Sequence, residues 1–256
     1  MNRRSILKTL FPGFSTNPPS VVSEQAIASP EIDDLGISSK RWHVLSAQND
    51  RQELLAGKPV MNWQIDNGNL ICMGHLADTT VFLSDYRLSK EAKSFKAEML
   101  FTFFNELFDQ AKHELHVGFR FLPAGQCGHG HIDSGISGDG TLFIGQAQGA
   151  RVLKENILKE PLRLVLSVIP QSAGGCYAKI KVFDRSGNTL ATLSSTKHSY
   201  SEWQGNIGIF SHYTGTSIYE HKPSVTIRRF KVDGEKLIDI KIQDERSDYI
   251  NSEITT

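Results

Sequence analysis

Apolar and polar residues take turns along many short runs of this chain. In Ala178-Lys-Ile-Lys-Val-Phe-Asp184 the lysines alternate with apolar residues, and Thr226-Ile-Arg-Arg-Phe-Lys-Val232 repeats the pattern with one irregularity at Arg228-Arg229. A period of two belongs to β-strands, whose successive side chains face opposite ways, and one doubled position marks a bulge. Runs rich in Val, Ile, Phe, Leu and Thr predict further strands at Thr79–Leu83, Phe95–Phe103, Leu115–Leu122, Thr141–Ile144, Leu162–Ile169, Asn206–Ser211 and Val225–Val232. Asn67-Gly68 joins Met61–Asp66 to Asn69–Met73, and Ser186-Gly-Asn188 joins Tyr177–Asp184 to Thr189–Ser195. Both are hairpin signals, because tight hairpin turns need residues that accept positive φ. Helix is confined to Glu106–His113 or the neighbourhood of Ser89–Lys93. The pattern predicts an all-β sandwich of antiparallel sheets with one wet face each.

Composition narrows this picture. With 256 residues, 39% of them apolar, the chain can bury one large core. That predicts a single domain over residues 39–238, a leader and linker over 1–38, and a polar tail over 239–256. The 28 basic and 28 acidic residues leave no net charge, which argues against nucleic acid as the partner. No run approaches the roughly 18 apolar residues a membrane span requires. Met1-Asn-Arg-Arg-Ser-Ile-Leu-Lys8 resembles a twin-arginine export signal, which implies a periplasmic or secreted protein. The apolar stretch behind it, Thr9 to Phe14, is broken by Pro12, and Ala26-Ile-Ala28 is the one Ala-x-Ala candidate for cleavage. Three cysteines do not make a disulfide scaffold. Cys127 and Cys176, both among glycines, are the expected pair in an oxidising compartment, and Cys72, between Ile71 and Met73, is expected in the core.

Several motifs then occur in a set order: Trp63 with Asp66-Asn-Gly-Asn-Leu70, Val117-Gly-Phe-Arg120, Gly130-His-Ile-Asp-Ser-Gly-Ile136, Asp139-Gly-Thr-Leu-Phe-Ile-Gly145 and Arg229-Phe-Lys-Val-Asp-Gly234. Together they resemble the laminin-G-like, concanavalin A-like domain at the N-terminus of exported bacterial phosphatases of the alkaline phosphatase D type. The resemblance implies a two-sheet antiparallel jelly-roll sandwich from about Arg41 to Leu237. It carries no catalytic residues over, because the Gly-Asn-His-Asp/Glu element of the binuclear phosphatases is missing.

Candidate chemistry centres on one loop. Cys127, His129, His131 and Asp133 stand at alternate positions and, on one strand face, would suit zinc or another borderline metal. The other reading is a polar surface loop, since Gly128 and Gly130 weaken preorganisation and Asp133 can instead cap a turn or bind backbone amides. No cofactor beyond such a metal is implied. There is no Glu-x-Asp-x-x-Glu triplet for glycoside hydrolysis, and Glu98 reads as a charge on an exposed strand face. Arg120, His116 and Tyr177 would have to assemble for lyase chemistry; His116 and Arg120 equally fit one polar strand face beside core Val117 and Phe119. Trp42, Trp63, Trp203, Tyr213 and Tyr219 are candidate sugar platforms or core residues. The candidate ligand-binding set is His116, Arg120, His129, His131, Asp133, His212, Tyr213 and Tyr219. The expected function is non-catalytic recognition of a carbohydrate or an exported partner enzyme, including a phosphatase. The alternative is a glycan-active hydrolase or lyase near residues 116–133, which requires His116, Arg120, His129 and His131 within hydrogen-bond reach of one another.

Overall fold

Alternation becomes strands throughout the computed structural model. It describes residues 37, 41–45, 51–74, 79–88, 93–104, 114–123, 131–152, 155–213, 222–234 and 237–239, all within the unit Leu35–Thr256. Residues 1–36, which include Arg3 and Arg4, and residues 240–256 lie outside the described residues.

In chain order the strands are β1 (Trp42–Leu45), β2 (Arg51–Glu53), β3 (Trp63–Asp66), β4 (Asn69–Gly74), β5 (Thr79–Leu88), β6 (Phe95–Phe103), β7 (Leu115–Leu122) and β8 (Ile132–Ser137). They continue as β9 (Thr141–Ile144), β10 (Ala147–Arg151), β11 (Leu162–Pro170), β12 (Cys176–Phe183), β13 (Thr189–Ser195), β14 (Gly205–Tyr213), β15 (Lys222–Gly234) and β16 (Leu237–Asp239). Among the described residues they form two antiparallel sheets. The nine-stranded sheet runs β10-β9-β8-β7-β14-β5-β1-β2 with β16 also on β5, and the seven-stranded sheet runs β13-β12-β11-β6-β15-β4-β3. The architecture is the expected two-sheet antiparallel jelly-roll sandwich.

The core lies between the sheets and takes every second residue. Leu162, Leu164, Leu166 and Val168 of β11, with Val117, Phe119 and Phe121 of β7, are fully buried. Trp42, Trp63 and Trp203 are fully buried too, so these three serve packing and not sugar stacking. Trp203 meets Phe121 edge-on at 5.1 Å, and Trp42 meets Phe230 at 5.4 Å.

Local signals hold in detail. Asn67 and Gly68 turn the β3–β4 hairpin with φ of 48° and 74°. Pairing of β15 with β6 skips from Ile227 to Arg229, so Arg228 is the extra residue of the expected bulge. A short helix at Glu155–Leu158 was not anticipated, and Glu106–His113 lies outside the described residues. No helix among the described residues is long and apolar enough to cross a membrane.

One expectation fails. Cys176 is not a loop cysteine awaiting Cys127: it opens β12 on the core side, fully buried and free. Its sulfur accepts a hydrogen bond from Trp203 Nε1 at 3.1 Å and donates to the His198 carbonyl at 3.3 Å. The parity of β12 decides this, since Ala178, Ile180 and Val182 share its face. Cys72 is buried as expected, and burial pushes both thiols up.

Candidate functional site

Strand pairing brings most of the described polar candidates onto one face. Val117, Phe119 and Phe121 point into the core, so His116, Gly118 and Arg120 of β7 take the outward face of the nine-stranded sheet. On β14, His212 pairs with His116 and Phe210 with Gly118. On β8, Asp133 pairs with Arg120, Gly135 with Gly118 and Ser137 with His116. Phe143 of β9 sits opposite Gly135, and Thr80 of β5 opposite Phe210.

Arg120 ties four adjacent strands together. Its Nε and Nη2 donate to Asp133 Oδ1 and Oδ2 at 2.7 and 2.6 Å, a two-pronged pair matched to the carboxylate. Nη1 donates to Thr80 Oγ1 at 2.8 Å, and the guanidinium lies 5.0 Å from the centre of the Phe210 ring. The side chain is 9% exposed with every guanidinium nitrogen committed, which makes it a strut and not a ligand-polarising cation. Where the sequence suggested a turn cap or a partner for backbone amides, the Asp133 carboxylate among the described residues holds Arg120. His131 Nε2 lies 3.6 Å from Asp133 Oδ2 at the solvent side of this pair.

Two glycines let aromatic rings lie on the sheet. A Cβ on Gly118 would meet Phe210 Cε1 at 2.9 Å, and one on Gly135 would meet Phe143 Cζ at 2.9 Å. Phe143 and Phe210 were not among the sequence candidates. Their signal was present: glycines inside strands imply close approach, and Phe143 is out of phase with the core residues Leu142 and Ile144.

His116 packs edge-on against Phe143 at 5.8 Å and His212 at 5.9 Å, and its Nδ1 is buried with no hydrogen-bond partner among the described residues. Burial first, and His212 second, push this imidazole below its usual range, so it is neutral at neutral pH. Nearby, burial raises Asp139, but the Ser137 hydroxyl, the Thr141 amide and Arg151 outweigh it and hold the carboxyl low.

Exposure divides the face. Phe210, Phe82, Ser84 and His43 on the β14–β5–β1 side are at most 4% exposed. His116, His131, Asp133, Phe143 and His212 are half-buried, and Gln148, opposite Phe143 on β10, is exposed. The accessible part is therefore the β7–β8–β9 side with His212. A cleft of about 230 Å³ lined by Trp42, Leu54 and Ile65 lies at the opposite edge, by the Arg41–Glu53 ion pair, with no acid–base pair besides it.

Other candidates do not converge. His116 and Arg120 are four residues apart on one strand, roughly 13 Å at ~3.3 Å per residue, beyond mutual hydrogen-bond reach. Tyr177 stands on β12 in the other sheet with its hydroxyl 2.9 Å from Ser194 Oγ, so the His116, Arg120 and Tyr177 group for lyase chemistry does not form. Glu98 is a surface charge paired with Lys96 at 3.4 Å and Arg163 at 3.6 Å. Cys127, His129, Tyr219 and the Tyr213 side chain lie outside the described residues. Among the described residues no three His, Cys, Asp or Glu side chains are placed to hold a metal.

No protein-family model and no curated protein matches this chain. Among solved structures it is similar to arcelin-5, a lectin-like defence protein from Phaseolus vulgaris, with a TM-score of 0.52 and 12% identity over 69% of this chain and 90% of that one. Lectin II from Ulex europaeus aligns with a TM-score of 0.49 and 8% identity over 71% of this chain and 95% of that one. An endo-1,3-beta-glucanase from Streptomyces sioyaensis aligns at 0.47 and 12%, over 76% and 89%. At such identities the likeness concerns the fold, which is the concanavalin A-like jelly roll.

Proposed function

We propose that this chain is a carbohydrate-recognition module that binds neutral sugar on the outward face of the nine-stranded sheet, along His116, His212 and Phe143. The observation that carries this reading is the half-buried His116–His212 pair against the edge of Phe143, on a sheet already braced by Arg120 and Asp133. With Nδ1 buried, the neutral His116 imidazole turns its other ring nitrogen to a sugar hydroxyl, which can either donate to it or accept from it. The aromatic ring beside it suits the apolar face of a pyranose. The strut lowers the ordering cost of binding, because the strands that carry the site do not need to be fixed by the ligand. The lectin-like fold supports the reading by analogy only.

Export by way of Arg3 and Arg4, and work beside an exported phosphatase, belong to the same proposal and rest on the sequence patterns. Cell fractionation of Arg3→Lys/Arg4→Lys tests the first.

Calorimetric titration with gluco-, galacto- and manno-oligosaccharides tests the binding site. His116→Ala or Phe143→Ala should weaken the best ligand at least tenfold, about 1.4 kcal/mol. Unchanged affinity in both variants, or no binding to any of these sugars, refutes it. Release of reducing ends by the wild type would replace recognition with hydrolysis.

A further inference from the structure

The outward face of the other sheet carries a charge that the whole-chain total conceals. Core parity puts Leu162, Leu164, Leu166 and Val168 of β11 and Ala178, Ile180 and Val182 of β12 inside. Their neighbours along the strands must then face out. Register aligns these outward residues in rows. Lys179, Ser167, Lys96 and Asp233 form one row; Lys181, Val165, Glu98 and Lys231 form the next; Phe183, Arg163, Leu100 and Arg229 form the third. On these four strands the rows hold six cations and two carboxylates, an excess of four positive charges in a chain of zero net charge.

The two carboxylates are already engaged. Glu98 pairs with Lys96 and Arg163, and Asp233 with Lys231 at 2.7 Å. Lys179 and Lys181 have no carboxylate within ion-pair distance among the described residues. Rows lie roughly 7 Å apart, and β12 to β15 spans roughly 14 Å across three strand spacings. Each of the three rows holds two cations, and together the rows place at least one on every one of the four strands, so a polyanion crossing them meets cations in each row.

We propose that this face binds a polyanionic polysaccharide, one bearing carboxylates or sulfates, independently of the neutral-sugar site on the opposite sheet. Charge complementarity carries the proposal, and the groups between the cations set the type of polyanion. Ser167, Thr192, Ser194 and Tyr177 supply hydroxyls beside Lys179 and Lys181. Val165 is 6% exposed, and among the described residues of these four strands Ile169 is the one large apolar residue that is well exposed, at 50%. A surface that inserts into lipid needs more apolar area than that. Phe183 is stacked under Arg163 at 4.3 Å, so it is occupied and offers no platform for a nucleic-acid base.

The test is a titration of the full chain at 50 mM NaCl with polygalacturonate, heparin, neutral dextran, single-stranded DNA and anionic phospholipid vesicles. Polygalacturonate or heparin should bind, dextran should not, and which of the two binds tighter separates carboxylate from sulfate. Lys179→Glu/Lys181→Glu should weaken the bound glycan at least tenfold, whereas Lys58→Glu, an exposed lysine off this face, should not. Raising NaCl to 200 mM should weaken it as well, since exposed charges are screened. Lys179→Gln/Lys181→Gln serves if the reversed charges impair folding, with thermal unfolding as the check. His116→Ala should leave this binding intact, so failure of the neutral-sugar site and failure of this one are distinguishable. No binding of either charged glycan, full retention in the Lys179/Lys181 variants, or equal binding of DNA or vesicles overturns the proposal.

Discussion

Removing Asp133 should destabilise the fold far more than a surface carboxylate would. In Asp133→Ala the Arg120 guanidinium, in a residue 7% exposed, loses two hydrogen bonds of 2.7 and 2.6 Å and keeps Thr80 and Phe210. Breaking one side of a buried ion pair costs about 3–5 kcal/mol, because the remaining charge is left uncompensated. The Asp133 side chain is 23% exposed, so water can partly replace it and the low end applies, about 3 kcal/mol. At roughly 2–4 °C per kcal/mol for a domain of this size, Tm should fall by about 6–12 °C. Urea unfolding followed by tryptophan fluorescence measures this well, since all three tryptophans are fully buried and report core loss. Arg120→Met/Asp133→Leu removes both charges and should recover most of the loss, giving a coupling of at least about 1.5 kcal/mol in the double-mutant cycle. A loss below about 1 kcal/mol in Asp133→Ala, or strictly additive variants, would refute the strut.

Gly135→Ala should cost about 3 kcal/mol or prevent folding, because the new Cβ would lie 2.9 Å from Gly118 Cα and closer still to the Val117 carbonyl. Gly175→Ala, at φ −76° with open space around it, should stay within about 1 kcal/mol in the same urea assay. Stability should decline as pH falls below 6.5, the ordinary His116 value, because the unfolded chain then takes a proton that the folded imidazole, held lower, still refuses. Above that pH His116 contributes no slope, and His116→Phe should flatten Tm measured between pH 5 and 7.5 if the assignment is right. In Cys127→Ser, Cys72 and Cys176 should be unreactive towards a thiol reagent in the native protein and both react in guanidinium. Ready native labelling would contradict their burial.

Much of the fold was legible because its causes are local. Parity of apolar residues set which face of β7, β11 and β12 is buried, Asn67-Gly68 set a turn that needs positive φ, and the doubled arginine at 228–229 announced a bulge. The site was half legible. His116 and Arg120 were recognisable as one polar strand face, but Asp133 as the partner of Arg120 was not, nor were the rings resting on Gly118 and Gly135. Those facts depend on register between strands, which alternation within a strand does not specify. Cys176 was misplaced for a different reason: its glycine neighbours suggested a loop, whereas the alternation of Ala178, Ile180 and Val182 begins at Cys176 and puts its sulfur in the core.

By itself, then, the sequence determined an all-β chain, the inward and outward residues of its longer strands, and the positions of its tight turns, all properties of neighbours a few bonds apart. Only the tertiary structure decided which outward residues meet. It set β8, β7, β14 and β5 side by side so that one arginine spans them, and β12, β11, β6 and β15 so that Lys96, Arg163, Lys179 and Lys231 share a face. Strand order joins segments more than a hundred residues apart, and a net charge of zero summed along the chain holds no record of that order.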